Sequence, residues 1–325
     1  MSDWRPESDG PTQLSGTWDF YWRQLLSPGD DPEGGAAPIT VPSFWHRTAV
    51  APDATAGRGF GTYRLRVKLP PDRPALAVRL GNVNTAVEVF ANGLSIWRVG
   101  RVAEDLEGSV PGYRPGVAPL PPIDDPILDL VVQVSSHETD RGGLDEPVWL
   151  GRTEDLLQAR SRELTLLGLL AGGLLTMGIY YLCHFAVRRR SEVSLYFGLF
   201  CLAAVGRLMC THELLVLEIW PEIPWSLVAK GAYFFTFAIV CAFVLHLQAL
   251  WPSRVPAWFF RFVFSSAGLA GAVVLATPPS LFTRTLIFLQ AYVVVCVVLS
   301  VVVFASAVRS RAEGLGLYAG GFLFV

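Results

Sequence analysis

The chain has 325 residues, 52% of them hydrophobic, and a formal net charge of −2, a size that suits two domains. That charge, with no Lys/Arg cluster in the N-terminal half, gives no support to nucleic-acid binding. The average hides a change near residue 160: Pro, Gly, Asp and Arg are frequent before it, and long runs of Leu, Val, Phe and Ala follow.

Residues 1–151 carry short period-2 runs separated by turn chemistry, which predicts a β-sandwich. Trp18, Phe20 and Trp22 alternate with Asp19 and Tyr21, so both tryptophans read as core. Tyr63, Leu65, Val67 and Leu69 share one face, with Arg64, Arg66 and Lys68 on the other. Leu76, Val78 and Leu80 repeat the pattern, as do Leu128, Leu130, Val132 and Val134. Residues 86–91 and 94–99 flank Asn92-Gly93, the preferred type I′ hairpin pair, because both residues tolerate positive φ. Seven or eight strands are expected, enough for a double-sheet jelly roll.

Binding residues of a sandwich usually sit on loops that a rigid scaffold displays. Three loops are rich in suitable side chains: 44–60 with Trp45, His46 and Arg58, 104–115 with Tyr113 and Arg114, and 137–144 with His137, Asp140 and Arg141. Aromatic faces there would stack on a sugar ring while Arg and Asp bond its hydroxyls. The plainer alternative has Trp45 plugging the sandwich end and Tyr113-Arg114-Pro115 fixing a loop. Glu104, Asp105, Glu107, Asp124 and Asp125 read as solvated loop charges. No GxSxG, HExxH, P-loop or post-strand GxGxxG occurs, and the five histidines are scattered. No catalytic residue, metal site or cofactor is therefore expected in this portion.

Residues 152–163 read as a short linker, since 153–163 contain neither Pro nor Gly and suit a helix. Membrane crossing needs about 20 apolar residues. Residues 164–186, 194–211, 227–249, 257–276 and 285–307 meet that length approximately. A sixth span is expected from about Leu315 and reaches only Val325, so the natural chain is expected to continue. Arg188, Arg189, Arg190, Arg254, Arg261, Arg309 and Arg311 mark alternate connections as cytoplasmic, which places the β domain outside. Arg152, Arg160 and Arg162 dilute the rule before the first span. Met1 is followed by SDWRPESDGP, with no signal-peptide pattern, so either an upstream segment or translocation by the first span is required.

Within the spans, Arg207 and Lys230 need a reason to be charged. Both suit snorkelling to the outer headgroups, or Arg207 pairs with Glu213, Glu218 or Glu222, or grips the outer domain. His246 reads as interfacial, and Gly168, Gly172 and Gly173 as sites of close helix packing. Trp220, Trp225, Trp251 and Trp258 fall near span ends, where an aromatic belt is expected. All five cysteines lie in the apolar half and read as small apolar residues.

Several segments carry a resemblance: LSGTWDFYW from Leu14, VPSFW from Val41, GFGTYRLRVKLP from Gly59, VFANG from Val89, PGYRP from Pro111, and GGL with VWLG from Gly142 to Gly151. In that order they resemble the N-terminal sensory domain of bacterial seven-transmembrane receptors with diverse intracellular signalling modules. The LxGxW opening and VPxxW element are also similar to the galactose-binding-like jelly roll attached to β-galactosidase-type glycoside hydrolases. The stretch 168–208, with its basic turn and Arg207, resembles the membrane part of the same receptors. The resemblance implies an all-β jelly-roll sandwich followed by an α-helical transmembrane bundle in the bacterial inner membrane. It implies a receptor that binds a small-molecule or carbohydrate ligand outside, sits in the lipid bilayer, and signals to a cytoplasmic module; homodimerisation stays an open option. The rival reading is a transport or envelope-assembly component with a sugar- or protein-binding sandwich. A third, an active glycosidase, would require hydrolysis of aryl glycosides by residues 1–155.

Overall fold

A computed structural model describes residues 4–48, 57–71, 73–123, 125–188 and 191–309. Arg189, Arg190, Arg311, Asp124 and the expected sixth span lie outside these residues, as does the middle of the 44–60 loop. The chain forms two compact units. One comprises the residues up to Leu166 together with Glu213–Trp225 and Pro279–Thr283; the other comprises Leu167–His212, Ser226–Pro278 and the residues from Arg284 on.

The first unit is an antiparallel sandwich. Its strands are β1 (Thr12–Gln13), β2 (Gly16–Trp22), β3 (Ala37–Val41), β4 (Ser43–Phe44), β5 (Gly59–Lys68), β6 (Leu76–Leu80), β7 (Ala86–Ala91), β8 (Leu94–Val99), β9 (Gly116–Pro119), β10 (Ile127–Ser136), β11 (Gly143–Leu144) and β12 (Trp149–Arg152). A six-stranded sheet runs β3-β2-β5-β10-β7-β8 and a four-stranded sheet runs β1-β12-β6-β9; β11 and β4 form a small third ribbon. The strand count exceeds the expected seven or eight because two-residue strands carry no readable period. The predicted hairpin is present: Asn92 and Gly93 take φ values of 46° and 92°, and Ala91 pairs with Leu94.

The alternation works as side-chain geometry requires. Trp18, Phe20, Tyr63, Leu128, Leu130 and Val132 from the large sheet meet Val78, Leu80 and Leu150 from the small one, each 1% exposed or less. Trp18 also donates its indole N–H to the Leu14 carbonyl at 2.8 Å, which satisfies its one polar atom. The other face of the small sheet is apolar in part as well. Ala77 and Val117 on that face are covered by Leu156, 2% exposed, from the helix that follows β12.

That helix, α1 (Thr153–Arg188), starts one residue after β12 ends. The expected linker is therefore its first turns, opened by Glu154 and Asp155 where the helix dipole favours negative charge. The remaining helices are α2 (Glu192–Met209), α3 (Leu215–Ile219), α4 (Trp225–Leu250), α5 (Ala257–Ala276), α6 (Pro279–Phe282) and α7 (Leu286–Arg309). Among the described residues five of these, α1, α2, α4, α5 and α7, are long and apolar enough to cross a membrane.

The helical unit corrects two expectations, on the first-span glycines and on Trp251, and shows what His246 and Arg207 bond. Among the described residues, nothing lies within 4 Å of where a Cβ on Gly168, Gly172 or Gly173 would stand. Close approach occurs lower in α1, where a Cβ on Gly198 would meet Leu182 at 3.0 Å and the Gly178 carbonyl at 3.1 Å. His246 is 3% exposed and bonds the Val193 carbonyl, at the start of α2, at 3.0 Å through Nδ1. Trp251, 5% exposed, packs against Phe304 in the bundle, while Trp220 and Trp258 are 65% and 60% exposed as an aromatic belt requires. Arg207 donates to the Ala232 carbonyl at 3.3 Å, within the helical unit.

Candidate functional site

The ribbon of β4 and β11 gathers part of the sequence-predicted set at one end of the sandwich. Gly143 pairs with Phe44, and the Trp45 amide donates to the Gly142 carbonyl at 2.9 Å. This brings the 137–144 loop against the start of the 44–60 loop. Gly142 has to be glycine here, because a Cβ would stand 2.3 Å from the Trp45 ring.

Trp45 itself does not face a ligand. Its ring is fully buried, set edge-on to Trp22 at 5.1 Å, and its indole N–H donates to the Tyr63 hydroxyl at 2.7 Å. The same hydroxyl accepts the Leu144 amide at 3.3 Å, so Tyr63 ties the core to the loop above it, and burial pushes its phenol well above the usual range. Aromatic residues beside a His in a loop attract a ligand reading; the fold turns this one inward because a void at the sandwich end must be filled.

The surface above Trp45 is built around Phe44, which the sequence reading passed over. His46 stacks on its ring at 5.3 Å and 22°. The guanidinium carbons of Arg47 and Arg141 lie 5.5 Å and 5.7 Å from the ring centre, within cation–π range. Partial burial, followed by the charges of Arg47 and Arg141, holds the His46 imidazole below its ordinary value, so it is neutral at pH 7. Arg58 and Asp140 form an ion pair beside it, each about a third exposed.

Arg141 also feels a second group. Asp145 and Glu146 follow β11 directly, and half-buried Tyr113 comes to them from the 104–115 loop. Burial first, then the Glu146 charge, raises Asp145 to about 6 against the pull of Arg141. One carboxylate oxygen of Asp145 is buried with no hydrogen-bond partner. Burial, then the charges of Asp145 and Glu146, drive the Tyr113 phenol upward, so it stays a neutral donor. The site thus offers an aromatic plate, guanidiniums, a phenol and a carboxylate that readily takes a proton. Such a set bonds hydroxyls and an apolar ring face together.

The other predicted residues lie apart from this chemistry. His137 bonds the Ala103 carbonyl at 3.0 Å and tilts against Phe60, which fixes the loop. Arg114 is exposed. Lys230 donates to the Leu275 carbonyl at 3.0 Å. Among the described residues no group of three or more His, Cys, Asp or Glu is placed to hold a metal ion. Asp145 and Glu146 were missed because the predicted loop stopped one residue short, at Leu144. Two consecutive acids before a proline carry no signal of burial.

Comparison with known proteins divides the chain. Residues 163–325 match the family described as 7TM diverse intracellular signalling, which is half of the sequence. No curated protein sequence matches the chain. Among solved structures it is similar to the β-glucuronidase of Ruminococcus gnavus. The form bound to D-glucuronic acid is 17% identical over 46% of this chain and 31% of that one, with a TM-score of 0.34. A further crystal structure of that enzyme gives 17% identity, 46% and 30% coverage, and the same TM-score. The chain therefore spans under a third of the length of these enzymes.

Proposed function

The chain belongs to the 7TM diverse intracellular signalling family, and from that membership we propose a membrane signalling receptor whose sandwich senses a ligand outside the cytoplasm. The observation that carries this reading is the junction. The family segment opens at residue 163, inside α1, and α1 has already packed Leu156 onto the sandwich seven residues earlier. A sensor whose outlet is a helix without a break suits relay better than a sandwich on a free tether. The charges of the short connections support an outside position for the sandwich in a bacterial inner membrane. The ligand class suggested by Phe44, Tyr113, Arg141 and Asp145 is a carbohydrate, a ring with one apolar face and many hydroxyls. The signal passes through the helices to an intracellular module, and no reaction is assigned to these residues.

The test is a thermal-shift screen of mono- and oligosaccharides on the full chain in detergent micelles. At least one sugar class should raise the melting temperature of the sandwich, and Arg141→Ala should abolish the shift. A screen without any shift would sink the carbohydrate assignment. Protease accessibility in spheroplasts decides orientation: cleavage within the sandwich from the outside is expected, and protection would invert the topology.

A further inference from the structure

The connection between α2 and α4, Glu213–Trp225, falls in the same compact unit as the sandwich. Glu213 lies between two arginines. It accepts from Arg79 Nη2 at 2.9 Å and from Arg160 Nε at 3.4 Å. Arg160 Nη2 also donates to Glu218 at 2.8 Å, and Arg79 holds Glu163 with both terminal nitrogens. Three segments therefore meet on five charged side chains: the outer face of β6, the first turns of α1, and the connection. Glu213 is the most enclosed, its side chain 11% exposed, with Arg79 at 19% and Arg160 at 21%. Only a planar guanidinium can engage two carboxylates from different directions in this way, so Arg79 is not replaceable by Lys without loss.

The connection is also strained where it is held. His212 and Leu214, on either side of Glu213, take φ values of 57° and 53°, a left-handed backbone that residues with a Cβ rarely adopt. Such a turn persists only while its surroundings enforce it. Leu214, Val216 and Leu217 are buried, whereas Ile219 and Trp220 are exposed and suit a headgroup layer. The turn thus has one apolar anchor, one ionic anchor and a backbone that gains from release.

We propose that Arg79 is a switch point: movement of the four-stranded sheet withdraws it from Glu213, and the strained turn at 212–214 relaxes into the connection between α2 and α4. As a signalling device this rests on the receptor reading; as a joint it stands by itself.

Hydrogen–deuterium exchange on the full chain in nanodiscs tests it, comparing the parent with Arg79→Met. Amides of 212–219 and of 153–163 should exchange about tenfold faster or more, while the β5–β10 ladder stays protected. Unchanged exchange at 212–219 overturns the proposal. So does an equal loss of protection through β5 and β10, because Arg79 would then serve only the stability of the sandwich. Glu213→Gln leaves the Arg79–Glu163 pair in place; it should loosen 212–219 and spare 153–163, and the reverse pattern overturns the proposal too. The measurement needs neither ligand nor signal, so failure of the joint and failure of sugar binding are read separately.

Discussion

Arg79 and Arg207 are both partly buried arginines, yet the two units satisfy them differently. In the sandwich unit, Arg79 holds two carboxylates, Arg64 is paired with Asp129, and Arg98 with Glu88. In the helical unit, Arg207 donates to the carbonyl of Ala232 and Lys230 to that of Leu275. Leu275 lies in the last turn of α5, where carbonyls lack an intrahelical partner. The contrast follows from the solvent. Near water a second charge costs little to maintain, whereas inside hydrocarbon each costs about 2.5–3.5 kcal/mol, so a neutral carbonyl is the cheaper partner.

The contrast is open to attack from several sides. The largest effect is expected from Trp45→Ala, which empties a fully enclosed site and should cost the sandwich about 3–5 kcal/mol. Near-ultraviolet circular dichroism during urea unfolding reads the sandwich, and the far-ultraviolet helical signal should persist past its transition. Simultaneous loss of both signals would mean that the two units do not unfold separately.

Next, Arg207→Leu removes a charge that, among the described residues, makes one long bond to a carbonyl. Thermal stability in micelles should hold or rise by up to about 2 kcal/mol. A loss as large as that of Arg79→Met would erase the distinction between the two arginines.

Asp145→Asn comes third. The unfolded carboxyl ionises near 3.8 and the folded one near 6, so between those values the folded state keeps a proton that the unfolded state has lost. Stability therefore falls as pH rises through that window, and the penalty is complete above about 6. The Asn variant should be more stable by roughly 1–2 kcal/mol at pH 7.5, with the gain vanishing below pH ~3.8. A constant gain at every pH would show that the carboxyl charge is not its source.

The smallest effect is expected at Glu163, which Arg79 holds below the usual carboxylate range, chiefly through their hydrogen bond. A depressed pKa contributes stability above the unfolded value of 4.5 and loses it as pH falls through the folded value. Because the Glu163 side chain is 46% exposed, Glu163→Gln should cost under about 1 kcal/mol at pH 7 and nothing in strong acid. Unfolding curves between pH 3 and 7 provide the check.

Much of the fold was legible because it is periodic. The expected 257–276 span is α5 to the residue, and Asn92-Gly93 announced its hairpin by chemistry that few other pairs share. β3, β9 and the two-residue strands were not legible: Pro38 and Pro119 interrupt the pattern, and two residues make no alternation. In the site, His46, Asp140 and Arg141 were found by residue type, while Phe44 and Asp145 were not. Nothing local distinguishes a phenylalanine that carries two guanidiniums from one in a core.

By itself, then, the sequence determined the two-part plan, the spans and the alternating strands, because each is a local repeat enforced by the solvent around it. Only the tertiary structure decided that Trp45 turns inward and that Arg79 meets Glu163 and Glu213. Those partners lie 84 and 134 residues away along the chain. No period links residues at such separations; the sheet order and the path of α1 bring them together, and the charges settle into pairs once the backbone has placed them.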